Sequence, residues 1–172
     1  PKDISLNLNT PYNHDMAKDY DLVLFSGPID QFFNCEFGEL SYRTVYWEKK
    51  RCQGIFQGNA VINYTDFDVP FTRINEPFFF EPWRTELPKC QSIYLIEYSK
   101  KTSHEDEPYY PTRLKEDQKR LELYQQKALS PGCENIVFLG RLGTYRYLDM
   151  DVTIEESEKL ASQIAFKASK SV

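Results

Sequence analysis

Ile136-Val137-Phe138-Leu139-Gly140-Arg141-Leu142-Gly143-Thr144-Tyr145-Arg146-Tyr147-Leu148-Asp149-Met150 orients the rest of the chain. Its first four residues are apolar without alternation, which suits a strand covered on both faces, as in a parallel sheet. Glycine ends the run and permits close backbone approach. A helix is predicted soon after, with Ile154, Ala161, Ile164, Ala165 and Ala168 on one face and Thr153-x-x-Glu156 placed as a capping box. A helix start offers unpaired N–H groups and a positive dipole end, which suit anionic ligand atoms. Arg141 is well placed for a phosphate. Asp149 reads either as a helix N-cap or as a site acid, and Tyr145 and Tyr147 either as core aromatics or as ligand groups.

Outward from this stretch, Leu22-Val23-Leu24-Phe25 is a second apolar run, stopped at Ser26-Gly27-Pro28. Pro28 can open a short helix over Ile29–Phe33. Ile4, Leu6 and Leu8 alternate with polar residues and predict a half-buried strand. A helix with Leu114, Leu121, Tyr124 and Ala128 on one stripe ends at Ser130-Pro131-Gly132. The middle of the chain has another rhythm. Strands are predicted over Tyr42–Trp47, Asn59–Thr65, Val69–Asn75 and Ser92–Ser99, with Phe78–Phe80 as a further short one; Pro70, Pro77 and Pro82 punctuate them. The fold class is therefore α+β. An aromatic-rich antiparallel sheet of four to six strands over residues 39–112 is inserted between α/β segments at 1–38 and 113–172.

Twelve Tyr, twelve Phe and two Trp among 172 residues favour pleated sheet and a wet binding face. The formal charge is −5, from 26 acidic and 21 basic residues, which argues against a phosphate-tracking nucleic-acid binder. No apolar run reaches the roughly 20 residues of a spanning helix, and Pro1-Lys2-Asp3-Ile4 carries no signal core. The first residue is not Met, so the chain is expected to begin inside a longer reading frame. Cys35, Cys52, Cys90 and Cys133 are scattered, which reads as four free thiols in a reducing, cytoplasmic setting, with two disulfides as the other option. His14 and His104 are isolated and read as surface residues, so no metal site is expected.

Arg73 is more informative. Alternation along a strand puts it on the face of Val69 and Phe71, where a guanidinium needs an anion. Two readings stand: an exposed face or internal salt bridge, or a fork for a phosphate or carboxylate. Tyr109 and Tyr110 lie between two prolines, as a plain turn or as a stiffened ligand contact. No G-x-G-x-x-G and no P-loop occurs.

Several long motifs stand in order along the chain. They are Phe25-Ser26-Gly27-Pro28-Ile29-Asp30-Gln31-Phe32-Phe33, Phe37-Gly38-x-Leu40-x-Tyr42-Arg43 and Gln57-Gly58-Asn59-Ala60-Val61-Ile62-Asn63-Tyr64-Thr65-Asp66. Val69-Pro70-Phe71-Thr72-Arg73-Ile74, Glu107-Pro108-Tyr109-Tyr110-Pro111 and Gly140–Met150 complete the set. Together they resemble the C-terminal part of the bacterial UDP-galactopyranose mutase family.

The resemblance implies an isomerase that interconverts UDP-galactopyranose and UDP-galactofuranose through a reduced-flavin N5–sugar adduct, serving cell-surface polysaccharides such as lipopolysaccharide or capsule. It implies Arg73 and Asp149 as catalytic residues, and Arg73, Tyr110, Tyr147 and Arg43 as substrate-binding. It also implies Gly27, Gly140, Arg141, Leu142, Asp149 and Met150 as FAD contacts. The family's glycine-rich FAD unit, its uridine-binding helices and a mobile loop with a second diphosphate arginine have no counterpart here. Reduced FAD would therefore be held incompletely, and the chain alone is expected to be inactive. Its expected partners are UDP-galactose in both ring forms and the missing N-terminal half, in cis or in trans, with a homodimer as a candidate assembly. A non-catalytic partner module and a flavoprotein related to amine oxidases are the competing readings.

Overall fold

The computed structural model of the chain describes residues 4–81, 83 and 91–170, with side chains up to Phe166. Pro82 and Cys90 lie outside the described residues. In chain order, the elements are β1 (Val23–Phe25), α1 (Ile29–Phe32), β2 (Tyr42–Gln53), β3 (Val61–Asn63), β4 (Arg73–Asn75), β5 (Gln91–Lys101) and β6 (Tyr110–Pro111). Then come α2 (Lys115–Ala128), β7 (Ile136–Phe138), α3 (Gly140–Gly143) and α4 (Met150–Lys170). They divide into two compact units: Pro1–Leu40 with Arg113–Val172, and Ser41–Thr112.

In the first unit the two apolar runs do pair in parallel, Val23 opposite Ile136 and Phe25 opposite Phe138. Coverage on both faces does not follow. Leu24 is 51% exposed, because the described sheet has only these two strands. The core beside them is aromatic: the Phe32 ring lies 4.9 Å from both Phe25 and Phe138, edge-on, the preferred geometry for such pairs. Buried Tyr124 of α2 donates its hydroxyl to the Gly38 carbonyl (2.8 Å) and accepts from the Phe37 amide (3.1 Å), which ties α2 to the turn after α1. Buried Asp30 accepts from the Leu40 amide at 2.9 Å.

Three expectations for this unit are corrected. Ile4, Leu6 and Leu8 form no strand and are 72–79% exposed, since alternation makes a strand only where a neighbouring strand accepts its hydrogen bonds. α4 starts at Met150, so Thr153 is not its cap; the Thr153 hydroxyl donates to the Asp149 carbonyl (2.9 Å), and Glu156 pairs with Arg146. Of the apolar face predicted for α4, Ile154 (59%), Ala161 and Ala165 are exposed and Ile164 is half-buried, while the Ala168 side chain lies outside the described residues.

The second unit is an antiparallel sheet in the order β3-β4-β5-β2-β6, so its five strands fall within the expected four to six. β2 and β5 are longer than predicted and pair from Arg43 opposite Lys101 to Gln53 opposite Gln91. An aromatic layer stiffens the sheet: Phe56 stacks on Tyr94 (3.8 Å between centroids), Tyr46 on Tyr98 (5.1 Å), and Phe71 meets Tyr64 (4.8 Å) and Tyr98 (6.2 Å). Buried Glu76 gathers the loop after β2, accepting from the amides of Phe56 (3.0 Å), Gln57 (2.9 Å) and Gly58 (3.1 Å). Burial would raise its carboxyl, but these donors outweigh that and hold it below the usual carboxylate range. Two predicted strands are corrected here. Pro77–Phe80 is a 3-10 turn, because proline suits a helical first position and cannot donate to a ladder. β4 begins only at Arg73, since the Val69 amide turns back to the Asp66 carbonyl (3.2 Å).

Candidate functional site

Register decides what the sheet presents. Residues directly opposite across a ladder share a face, and so do alternate residues along a strand. Glu97 of β5 lies opposite both Arg73 of β4 and Trp47 of β2. Four residues before Trp47, Arg43 lies opposite Lys101 of β5 and Tyr110 of β6. Arg73, Glu97, Trp47, Arg43, Lys101 and Tyr110 therefore occupy one face. Three of the residues singled out in the sequence, Arg73, Arg43 and Tyr110, are brought onto it together.

Arg73 does not share its face with Phe71, as simple alternation suggested. Phe71 packs on Tyr98, which neighbours Glu97 along β5 and so points to the opposite face. The reason is local. Thr72 and Arg73 serve the same carboxylate, with Thr72 Oγ1 3.0 Å and Arg73 Nε 2.7 Å from Glu97 Oε1, so strict alternation holds only from Arg73 onward. The anion that Arg73 requires is thus found inside the unit, while its side chain stays 37% exposed. Trp47 donates its indole N–H to Glu97 Oε2 (3.2 Å) and meets the Tyr109 ring edge-on at 5.9 Å. Exposed Arg43 donates Nε to the Ser99 hydroxyl at 3.0 Å.

In the first unit, the loop after β7 is shaped by close packing. A Cβ on Gly143 would stand 2.8 Å from the Phe25 carbonyl oxygen, so α3 lies against the end of β1 only because glycine is there. Gly140 adopts φ +71°, a conformation that favours glycine, and an added Cβ would meet nothing nearer than Ser26 Cβ at 4.0 Å. Tyr145, with φ 50°, is held in the same unusual region by its buried ring and by its hydroxyl, which donates to Asp117 at 2.9 Å. The two tyrosines therefore divide: Tyr145 is core, and Tyr147 is 56% exposed. Arg141 donates Nε (3.2 Å) and Nη2 to the Leu148 carbonyl and sits 5.3 Å from the Tyr147 ring centroid, within cation–π range. Asp149 and Met150 are exposed, Leu142 and Gly27 are half-buried, and the Asp149 carbonyl receives the Thr153 amide (3.0 Å) as α4 begins.

Glu97, Trp47 and Glu76 were missed by sequence reasoning. Glu97 had a signal: it is the only charge between Ser92 and Ser99. Glu76 had none, because its partners are backbone amides of a loop 18–20 residues away. Among the described residues, no cluster of His, Cys, Asp and Glu suits a metal ion, Cys35, Cys52 and Cys133 are free thiols, and His14 and His104 are exposed.

A mixed α/β chain with a five-stranded antiparallel sheet between parts of a parallel-strand unit is the class these elements define. Residues 1–147 match the family model described as UDP-galactopyranose mutase, and the chain belongs to that family. It corresponds to a C-terminal portion of such proteins. A probable UDP-galactopyranose mutase of Klebsiella pneumoniae is 44% identical over 94% of this chain and 41% of its own length. A dTDP-fucopyranose mutase of Escherichia coli is 43% identical over 90% of this chain and 40% of its own. A crystal structure of reduced UDP-galactopyranose mutase aligns with TM-score 0.48 and 16% identity, over 74% of this chain and 37% of that one. The chain thus spans about two fifths of the length of the curated relatives it matches.

Proposed function

We propose that this chain supplies the sheet portion of a mutase that interconverts the pyranose and furanose forms of a nucleotide-diphosphate sugar. UDP-galactose is the first substrate on this reading, and galactofuranose for cell-surface polysaccharide the use of the product. A cytoplasmic location belongs to the same proposal; no helix among the described residues is long and apolar enough to cross a membrane. The observation that carries the reading is the face shared by Arg73, Arg43 and Tyr110, in a chain whose relatives are named as sugar-nucleotide mutases.

The proposed cofactor is FAD. The loop after β7 fits one edge of a flavin site: Gly140 leaves its backbone open to close approach, and the first turn of α4 brings N–H groups without intrahelical partners. Gly27, Gly140, Arg141, Leu142, Asp149 and Met150 would hold the cofactor there. Bound and reduced, it would supply nucleophilic chemistry toward the sugar. Arg141 is presented in a fixed place by Leu148 and Tyr147 rather than as a loose cation.

The protein's own tasks are positioning and charge stabilisation. Arg73 and Arg43 offer guanidinium donors to diphosphate oxygens, and Tyr110 and Tyr147 offer hydroxyls. Arg73 is the group expected to stabilise negative charge on the departing diphosphate. Asp149 would face the reacting centre as an acceptor that orients the sugar or takes a proton from it.

The test is complementation. The chain, co-expressed with the N-terminal portion of the Klebsiella pneumoniae relative, is expected to retain flavin and convert UDP-galactofuranose to UDP-galactopyranose; alone it is expected to do neither. Stable association without turnover would favour a non-catalytic module. The dTDP-fucose pair belongs in the same assay, because the Escherichia coli relative is as similar as the first.

A further inference from the structure

Glu97 is the acid that the sheet face is built around, and nothing in the proposed chemistry requires it to touch a ligand. It lies in mid-strand and is 6% exposed. A carboxylate buried there keeps its charge only if donors replace the water it has lost. Three do so, from β2, from β4 and from the residue just before β4: Arg73 and Thr72 on Oε1, and Trp47 on Oε2. Its backbone carbonyl also accepts the Thr72 amide at 2.8 Å, so main chain and side chain hold the entrance to β4 together.

The geometry points to Glu97 as a positioning residue for Arg73, fixing the guanidinium by its Nε side so that it can meet an anionic ligand. This rests on the reading of Arg73 as a diphosphate donor. An unrestrained arginine populates many rotamers, and freezing them on a ligand costs affinity or rate. Here the Nε side is tied at 2.7 Å to a carboxylate that is itself tied to an indole, and the indole lies against Tyr109. The cation is therefore oriented before any ligand arrives.

The arrangement also makes glutamine a poor substitute. Replacing one carboxylate oxygen with NH2 places a donor among donors, because the Arg73 Nε–H and the Trp47 N–H both need an acceptor. Glu97→Gln keeps size and removes both charge and one acceptor. Glu97→Asp keeps the charge and withdraws it by one methylene.

Two measurements test the inference. In 15N NMR of the chain, the Arg73 Nε–H signal is expected to be sharp and exchange-protected, and to lose that protection in Glu97→Gln; equal protection in both proteins overturns the assignment. In the complemented enzyme, Glu97→Gln is expected to lower kcat/KM about tenfold or more, as misplacing a binding group does. Glu97→Asp should recover part of this, and Glu97→Gln should add nothing in an Arg73→Lys background. Additive losses would mean that Glu97 acts on stability alone, and they overturn the inference. If Arg73→Lys by itself leaves kcat/KM unchanged while the NMR signal depends on Glu97, the reading of Arg73 fails and the tether stands, so the two failures are distinguishable.

Discussion

The two units answer their buried acids alike and differ in how far their strands are paired. In the sheet unit, Glu76 is met by three loop amides, and Glu97 by an arginine, a threonine and a tryptophan. In the other unit, Asp30 accepts from the Leu40 amide and Asp117 from the Tyr145 hydroxyl, while Ile4, Leu6 and Leu8 in an extended segment and Ile154 on α4 are exposed. An antiparallel ribbon closes its own hydrogen bonds with near neighbours. A parallel pair and a long helix need further layers on their faces. The sheet accordingly has five paired strands where the other unit has two, while along α4 Ile154 is exposed and Ile164 half-buried.

Substitutions can break or sharpen that contrast. The largest effect is expected for Arg73→Ala: a drop in kcat/KM of about 100-fold or more in the complemented enzyme, comparable to losing a transition-state donor. A drop below threefold would remove the sheet face from the chemistry. Next comes Glu76→Ala, which orphans three amides. The expected cost is about 3 kcal/mol or more in urea unfolding, with hydrogen exchange quickening at Phe56, Gln57 and Gly58.

The same carboxylate sets an acid limit. Its folded pKa lies below its unfolded one, so its contribution is present in full above about pH 4.5 and is lost as pH falls through the folded value. Protection of those three amides should follow that course; protection that fails at neutral pH would contradict it. Tyr145→Phe removes the hydroxyl that donates to buried Asp117 and should lower stability by about 1–2 kcal/mol, read from thermal unfolding. The smallest effect is expected for Ile154→Gln, within about 0.5 kcal/mol in the chain alone, because that side chain is already exposed. A loss above about 2 kcal/mol would show that α4 is packed after all.

Sequence reasoning reached far where periodicity or motif order carries the signal. The two apolar runs paired in parallel as read, the aromatic middle became an antiparallel sheet, and the family was recognisable from its ordered motifs. It failed where a neighbour distant in sequence decides the outcome. Alternation at Ile4, Leu6 and Leu8 did not make a strand, the Phe78–Phe80 run closed into a turn, and Arg73 took the face opposite to Phe71.

Composition and order of residues were enough to settle the fold class and the kin of this chain, because hydrophobic period and turn residues act over a few positions. Partnership was not settled that way. That Glu97 meets Arg73, that Tyr145 is buried while Tyr147 is not, and that Glu76 collects a loop all depend on strand register and close packing, which exist only once distant segments have met.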